Sequence, residues 1–229
     1  MELEESLLKN IELRKTHLGN SLVNWGVENY RTFPWRENRT PYSVLVSEIL
    51  LKRTTASAAK RVFQEFMLTY PNVETLSTAK KEDLRNLLKK IGYHKRRAVI
   101  LLEIANFVLD RFKGKIPCSK EDLREIPNVG QYTAGAILSF GYEIPSAMVD
   151  SNIERIIRRL FFKSLREKSF RTVQQVAEQL APEISNQNYN YALLDFGALV
   201  CTYGLPKCGI CPITEFCDYY LAGNPYRGR

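Results

Sequence analysis

Only five residues, Ile126-Pro127-Asn128-Val129-Gly130, separate a polar segment, Ser119 to Glu125, from a segment of helical pattern, Gln131 to Phe140. Pro127 stiffens this turn, and Gly130 is expected to supply backbone angles that side chains forbid. So tight a turn leaves the first amides of the second helix unpaired and facing outward. Together with the positive end of the helix dipole, they predict a site for a phosphate. Beyond the second helix, the largely apolar run Ser146-Ala147-Met148-Val149 ends on a carboxylate, Asp150.

The rest of the chain carries apolar residues at helical spacing. Leu7, Leu8, Ile11, Leu18, Leu22 and Val23 predict one or two helices before Tyr30. The stretch from Thr32 to Pro41, with two prolines and many polar residues, reads as a loop. Pro41 suits the first turn of the next helix, Tyr42 to about Leu51, which puts Glu48 among Val44, Leu45, Ile49 and Leu50. Further helices are expected over Ala56–Tyr70, Lys81–Lys90, Lys95–Phe112, Thr172–Leu180 and Tyr189–Val200. The pattern breaks at Ile91-Gly92-Tyr93-His94. After Asp150, the residues Ile153, Ile156, Ile157 and Leu160 mark one more amphipathic helix. Alternating strand patterns are absent, so the fold class reads as all-α.

A net charge of +8 and a pI near 9.2 favour a polyanionic partner, of which nucleic acid is the commonest. No apolar run is long enough for a membrane span. The acidic start, Met1-Glu2-Leu3-Glu4-Glu5, lacks the order of a secretory signal, so a cytoplasmic, nucleoid-associated protein is expected. Four of the five cysteines crowd into Cys201, Cys208, Cys211 and Cys217. Without a signal peptide, that clustering favours metal ligation over disulfides. The gaps of six, two and five residues wrap a larger [4Fe-4S] cluster better than one zinc ion. Zinc and a disulfide pair are the alternatives. Cys118, outside the motif, reads as a free thiol.

Phe33 to Ala56 (FPWRENRTPYSVLVSEILLKRTTA), Ile126 to Leu138 (IPNVGQYTAGAIL), Ala147 to Leu160 (AMVDSNIERIIRRL) and the cysteine spacing together resemble the helix-hairpin-helix DNA glycosylase superfamily, in its branch with a C-terminal iron–sulfur loop. The resemblance covers nearly the whole chain. It implies two helical domains with a DNA cleft between them: a six-helix barrel over residues 33–145, and a discontinuous cluster domain over 1–32 and 146–229. Two residues after the hairpin glycine, lyases of the endonuclease III type carry a lysine nucleophile. Tyr132 stands there, which implies base hydrolysis without strand cleavage. Lys52-Arg53-Thr54-Thr55-Ala56 and Ala147-Met148-Val149-Asp150 resemble the mismatch thymine/uracil glycosylases. Adenine glycosylases usually show a glutamine pair at the first run and a further C-terminal domain, whereas this chain ends 12 residues after Cys217.

The resemblance thus implies a monomeric enzyme acting on double-stranded DNA that contains a G·T or G·U mismatch. An adenine glycosylase acting on A·G or A·8-oxoguanine is the alternative. A DNA-structure-binding protein without chemistry, and a lyase using another lysine, are the remaining readings. Flipping exposes the glycosidic bond, whose cleavage builds positive charge on the sugar. Asp150 is expected to stabilise that charge from the N-terminal end of its helix. Glu48 is expected to donate or relay a proton, or to position water or the base, and Tyr132 to place a hydroxyl near the sugar or phosphate. Asn152 is a candidate for holding Asp150 or a phosphate. Arg53 and Tyr93 fall where relatives fill the gap left by the flipped base. Val129, Gly130 and Gln131 are expected to offer amides to a phosphate, with a monovalent cation possible at the hairpin carbonyls. The basic run Lys95-Arg96-Arg97 is expected either to touch the DNA backbone or to form a solvated helix face.

Overall fold

The structure is a computed structural model and describes residues 3–223. Met1 and Glu2, part of the acidic start, and residues 224–229, the end of the expected cluster domain, lie outside the described residues. All regular elements among the described residues are helical, as expected from the missing alternation. The chain divides into two compact units, one of Met1–Arg31 with Pro145–Arg229 and one of Thr32–Ile144.

A single long helix, α1 (Glu5–Asn29), opens the chain, with Leu7, Ile11, Leu18 and Leu22 buried along one stripe. The expected loop after it contains a short helix, α2 (Pro34–Glu37), whose first residue is a proline. Pro34 starts it because the fixed φ suits a helical first position. In α3 (Pro41–Leu51) the Thr40 side chain accepts the Ser43 amide, and Pro41 again occupies the first turn. This helix is buried on all sides from Tyr42 to Leu50, not on one face. Its serines stay satisfied locally: Ser43 Oγ donates to the Asn38 and Thr40 carbonyls (2.6 and 2.9 Å), and Ser47 Oγ to the Val44 carbonyl (2.8 Å). Helix α4 (Ala56–Thr69) follows, capped by Thr55. A short helix absent from the sequence reading, α5 (Val73–Ser77), rests on a reciprocal cap between Asn72 and Thr75. Five residues are too few to show helical periodicity.

Helices α6 (Lys81–Leu88) and α7 (His94–Phe112) pack on each other, and α7 also packs on α5 and α3. The polar lead-in to the hairpin is helix α8 (Lys120–Glu125), capped by Ser119. Helix α9 (Gln131–Ala136) runs on into a π-helical turn, Ile137–Gly141. That turn lies against α3 so closely that a Cβ on Gly141 would stand 2.8 Å from the Pro41 Cα. Glycine is required there by backbone approach.

The other unit resumes with α10 (Ser151–Leu160), then α11 (Phe162–Leu165), α12 (Phe170–Leu180), α13 (Asn186–Leu199) and α14 (Asp218–Leu221). Ile153, Ile156, Ile157 and Leu160 of α10 are all buried, as their spacing predicts. Each such burial stabilises by about 1.5–3 kcal/mol. Off that buried stripe α10 carries the half-buried pair Glu154 and Arg158, 2.8 Å apart in the orientation that the helix dipole favours. Helix α1 packs chiefly on α13. Buried Asp195 of α13 meets Arg31 just after α1, Nε to Oδ1 at 2.6 Å.

Candidate DNA-processing site

The hairpin departs from expectation in two respects, the residue that is left-handed and the amide of Val129. Gly130 has φ −92°, ordinary extended backbone, while Asn128 takes the left-handed conformation at φ 63°. Asparagine is among the few residues that tolerate it. The Val129 amide already donates to the Ile126 carbonyl (3.1 Å), so it is committed to the turn. The amides that open α9 are those of Gly130 and Gln131. A Cβ on Gly130 would meet no atom within 4 Å, so the space beside that amide is open. Lys52, at the end of α3, donates Nζ to the Asn128 carbonyl at 2.7 Å and so ties the turn to α3. Burial pulls the Lys52 ammonium below the usual lysine range, and Glu48 opposes that shift.

Glu48 is 8% exposed within the apolar α3. A carboxylate buried at this level needs partners. Lys52 supplies electrostatic compensation one turn away. Tyr132, half-buried, sits in the first turn of α9. Arg53 and Tyr93 come together: the Arg53 guanidinium carbon stands 5.1 Å from the Tyr93 ring centroid, and its Nη1 donates to the Tyr93 hydroxyl. Arg97 does not belong to a solvated basic face. It is 3% exposed and bonded to backbone carbonyls.

In the other unit, Asp150 caps α10. Its Oδ1 accepts the amides of Asn152 (2.9 Å) and Ile153 (2.8 Å). Its Oδ2 accepts Asn152 Nδ2 at 2.9 Å. Three donors thus fix the carboxylate in one orientation. Asn152 is itself held by Arg155, whose Nη2 donates to Asn152 Oδ1 (3.0 Å) and to the Gly197 carbonyl (2.8 Å). Arg155 Nε donates to the Cys201 carbonyl at 2.9 Å. A continuous chain of hydrogen bonds therefore runs from the first cysteine of the cluster motif to Asp150. The sequence reading did not single out Arg155. Its signal was the one-turn spacing from Asn152, which any helical arginine can share.

All five cysteines are free thiols, so the disulfide alternative is not realised. Cys201, Cys208, Cys211 and Cys217 line one pocket, beside Arg159 and Tyr219. Among the described residues no group of three or more His, Cys, Asp or Glu side chains is arranged to hold a metal ion. Arg159 brings positive charge to the thiols, with Nη1 3.3 Å from Cys201 Sγ. Burial above all, and then the neighbouring cysteines, push the Cys211 thiol up to about 12 against a backbone hydrogen bond from Ile213. Arg14 braces the end of the loop through the Phe216 carbonyl (2.7 Å) and Asp218 (3.1 Å).

The profile of the HhH-GPD superfamily, base excision DNA repair proteins, matches residues 46–183. The chain is 34% identical over 209 residues to the thymine/uracil-DNA glycosylase of Methanothermobacter thermautotrophicus, covering 90% of this chain and 94% of that one. It is 32% identical over 203 residues to the adenine DNA glycosylase of Buchnera aphidicola (subsp. Baizongia pistaciae), covering 88% of this chain but 58% of that protein. A solved thermostable thymine-DNA glycosylase superposes with a TM-score of 0.89 at 31% identity, over 92% of this chain and 98% of that one.

Proposed function

Because the chain belongs to the HhH-GPD superfamily of base excision DNA repair proteins, we propose that it is a monofunctional DNA glycosylase that releases thymine or uracil from G·T and G·U mismatches. The observation that carries this reading is the held carboxylate of Asp150, with three donors on its two oxygens at the start of α10. A fixed negative charge is what an oxocarbenium-like sugar needs as its base departs. Thymine leaves as an anion stabilised by its two carbonyls. Water adds to the sugar carbon that lost the base, and the departing base takes up a proton. Glu48, held inside α3, orients that water or the base. Tyr132 places a phenol where lyases place an amine, so no imine forms with the sugar at that position. Gly130 and Gln131 offer their amides to a DNA phosphate from the open side of the hairpin. Arg53 and Tyr93 fill the gap that the flipped nucleotide leaves. A net charge of +8 suits a DNA duplex. The enzyme acts as a monomer, cytoplasmic and associated with the nucleoid. No helix among the described residues is long and apolar enough to cross a membrane.

The four cysteines would hold a [4Fe-4S] cluster. The uneven spacing, the shared pocket and the adjoining guanidinium of Arg159 suit a bulky anionic group better than one ion. When bound, it would staple residues 201–217 into one loop. Purified protein should absorb broadly in the visible range and contain iron, and Cys211→Ser should abolish the absorption. Zinc in place of iron, with a colourless protein, would end this assignment.

The adenine reading is favoured by 30–32% identity to adenine DNA glycosylases. Single-turnover base release on G·T, G·U, A·G and A·8-oxoguanine duplexes separates the two. Release of thymine and uracil is expected. Release of adenine alone would reverse the assignment. No enzyme–DNA adduct should be trapped by borohydride; a trapped adduct would identify a lyase using another lysine.

A further inference from the structure

Among the described residues Arg97 is the buried cation: no other lysine or arginine is buried. It lies near the N-terminus of α7, where the helix dipole disfavours positive charge. Burial and dipole both oppose it, so its surroundings must compensate. They do so through three backbone carbonyls. Nε donates to Ile49 (3.1 Å), Nη2 to Lys52 (2.6 Å) and Nη1 to Gly92. Ile49 and Lys52 lie at the end of α3, where helix carbonyls lack intrahelical partners and the dipole is negative.

The choice of carbonyls is informative. The Lys52 carbonyl belongs to the peptide that enters Arg53, and the Gly92 carbonyl to the peptide that enters Tyr93. Arg53 (φ 55°) and Tyr93 (φ 61°) are both left-handed, a conformation rare for residues that carry a β-carbon. Such backbone persists only where neighbours enforce it. One guanidinium thus clamps the peptides before two left-handed residues that stand 40 apart in sequence. Their side chains then meet in an exposed pair, guanidinium over ring, with Tyr93 57% exposed.

We propose that Arg97 is a positioning residue that presents Arg53 and Tyr93 to DNA as one composite wedge, set before DNA arrives. The inference rests on the reading of Arg53 and Tyr93 as the residues that fill the gap in the duplex. Arg97 touches no DNA itself; it acts through the two peptides it grips.

The test uses a duplex with 2′-fluorothymidine, which resists hydrolysis, opposite guanine and beside 2-aminopurine. Fluorescence at saturating enzyme reports unstacking per bound complex, and a general loss of stability does not move it. Wild-type enzyme should raise the signal. The double variant Arg53→Ala/Tyr93→Ala should lower the rise, as should Arg97→Gln and Arg97→Lys, since lysine keeps the charge but cannot reach three carbonyls. Single-turnover release from G·T should fall by roughly tenfold in the Arg97 variants, the scale of part of one unstacking step. Adding Arg97→Lys to the double variant should cause little further loss. A wild-type signal in the double variant would refute the wedge reading itself. A lowered signal there with a wild-type signal in Arg97→Lys would refute the positioning role alone. If Arg97→Gln fails to fold, Arg97→Lys and the triple variant still decide the matter.

Discussion

Asp150→Asn should slow single-turnover thymine release by on the order of 10²–10³-fold, while DNA affinity and the melting temperature stay close to wild type. The substitution is nearly isosteric. An asparagine Oδ1 can still accept the amides of Asn152 and Ile153, so the N-terminal cap of α10 survives. What changes is the second oxygen. It becomes an amide nitrogen that faces Asn152 Nδ2, now 2.9 Å from Asp150 Oδ2, and two donors then oppose each other. That costs about 1 kcal/mol of stability, little beside the loss of negative charge at the reacting sugar. Because folding and binding persist, the rate isolates the electrostatic contribution. Equal rates for the two proteins on every mismatch would show that no chemistry depends on Asp150, and release from no duplex by either protein would favour a protein that binds DNA structure only. Asp150→Ala makes a useful contrast, because it loses the cap as well and should lower the melting temperature further.

The roles that sequence revealed well were those set by local patterns. Apolar spacing in α10 predicted four buried residues, and all four are buried. Pro41 at the start of α3 and Asp150 at the start of α10 followed from the rules of helix capping, which depend on neighbours two or three residues away. The turn was legible as a turn, but its left-handed residue was not. Gly130 drew attention because glycine permits positive φ, yet Asn128 adopts it and Gly130 remains extended. Composition marks which residues tolerate a conformation, and register within the turn decides which one takes it. Long-range bonds were the least legible. Arg97 read as one of three basic neighbours, and only tertiary packing shows that it turns inward to carbonyls 45 and 48 residues away. Lys52 on the Asn128 carbonyl, 76 residues distant, is of the same kind. Glu48 was flagged by its apolar neighbours, but its burial came from α3 being enclosed on all sides, which a one-faced helical pattern does not foretell.

Arg155→Ala should disturb two regions at once and lower the melting temperature by about 5–10 °C, since each kcal/mol shifts a chain of this size by roughly 2–4 °C. The side chain serves three acceptors, the Cys201 carbonyl, the Gly197 carbonyl and Asn152 Oδ1. Truncation leaves two partly buried carbonyls short of a donor, and each costs about 1–3 kcal/mol. Gly197 cannot readily relax toward α10, because even a Cβ there would stand 2.9 Å from the Asn152 Cβ. Asn152 loses the bond that sets its amide plane, so its hold on Asp150 Oδ2 loosens while the backbone amides keep Oδ1 in place. Thymine release should therefore fall by roughly tenfold, less than in Asp150→Asn, because the charge remains and only its aim is relaxed. Arg155→Lys separates the two effects. Its ammonium can serve one or two of the carbonyls and recover part of the stability, but it lacks the planar fork that reaches Asn152 at the same time. Stability should return further than activity. Full recovery of activity by lysine, or an alanine variant as active as wild type, would mean that the backbone amides alone hold Asp150 and that the chain from Cys201 plays no part in aiming it.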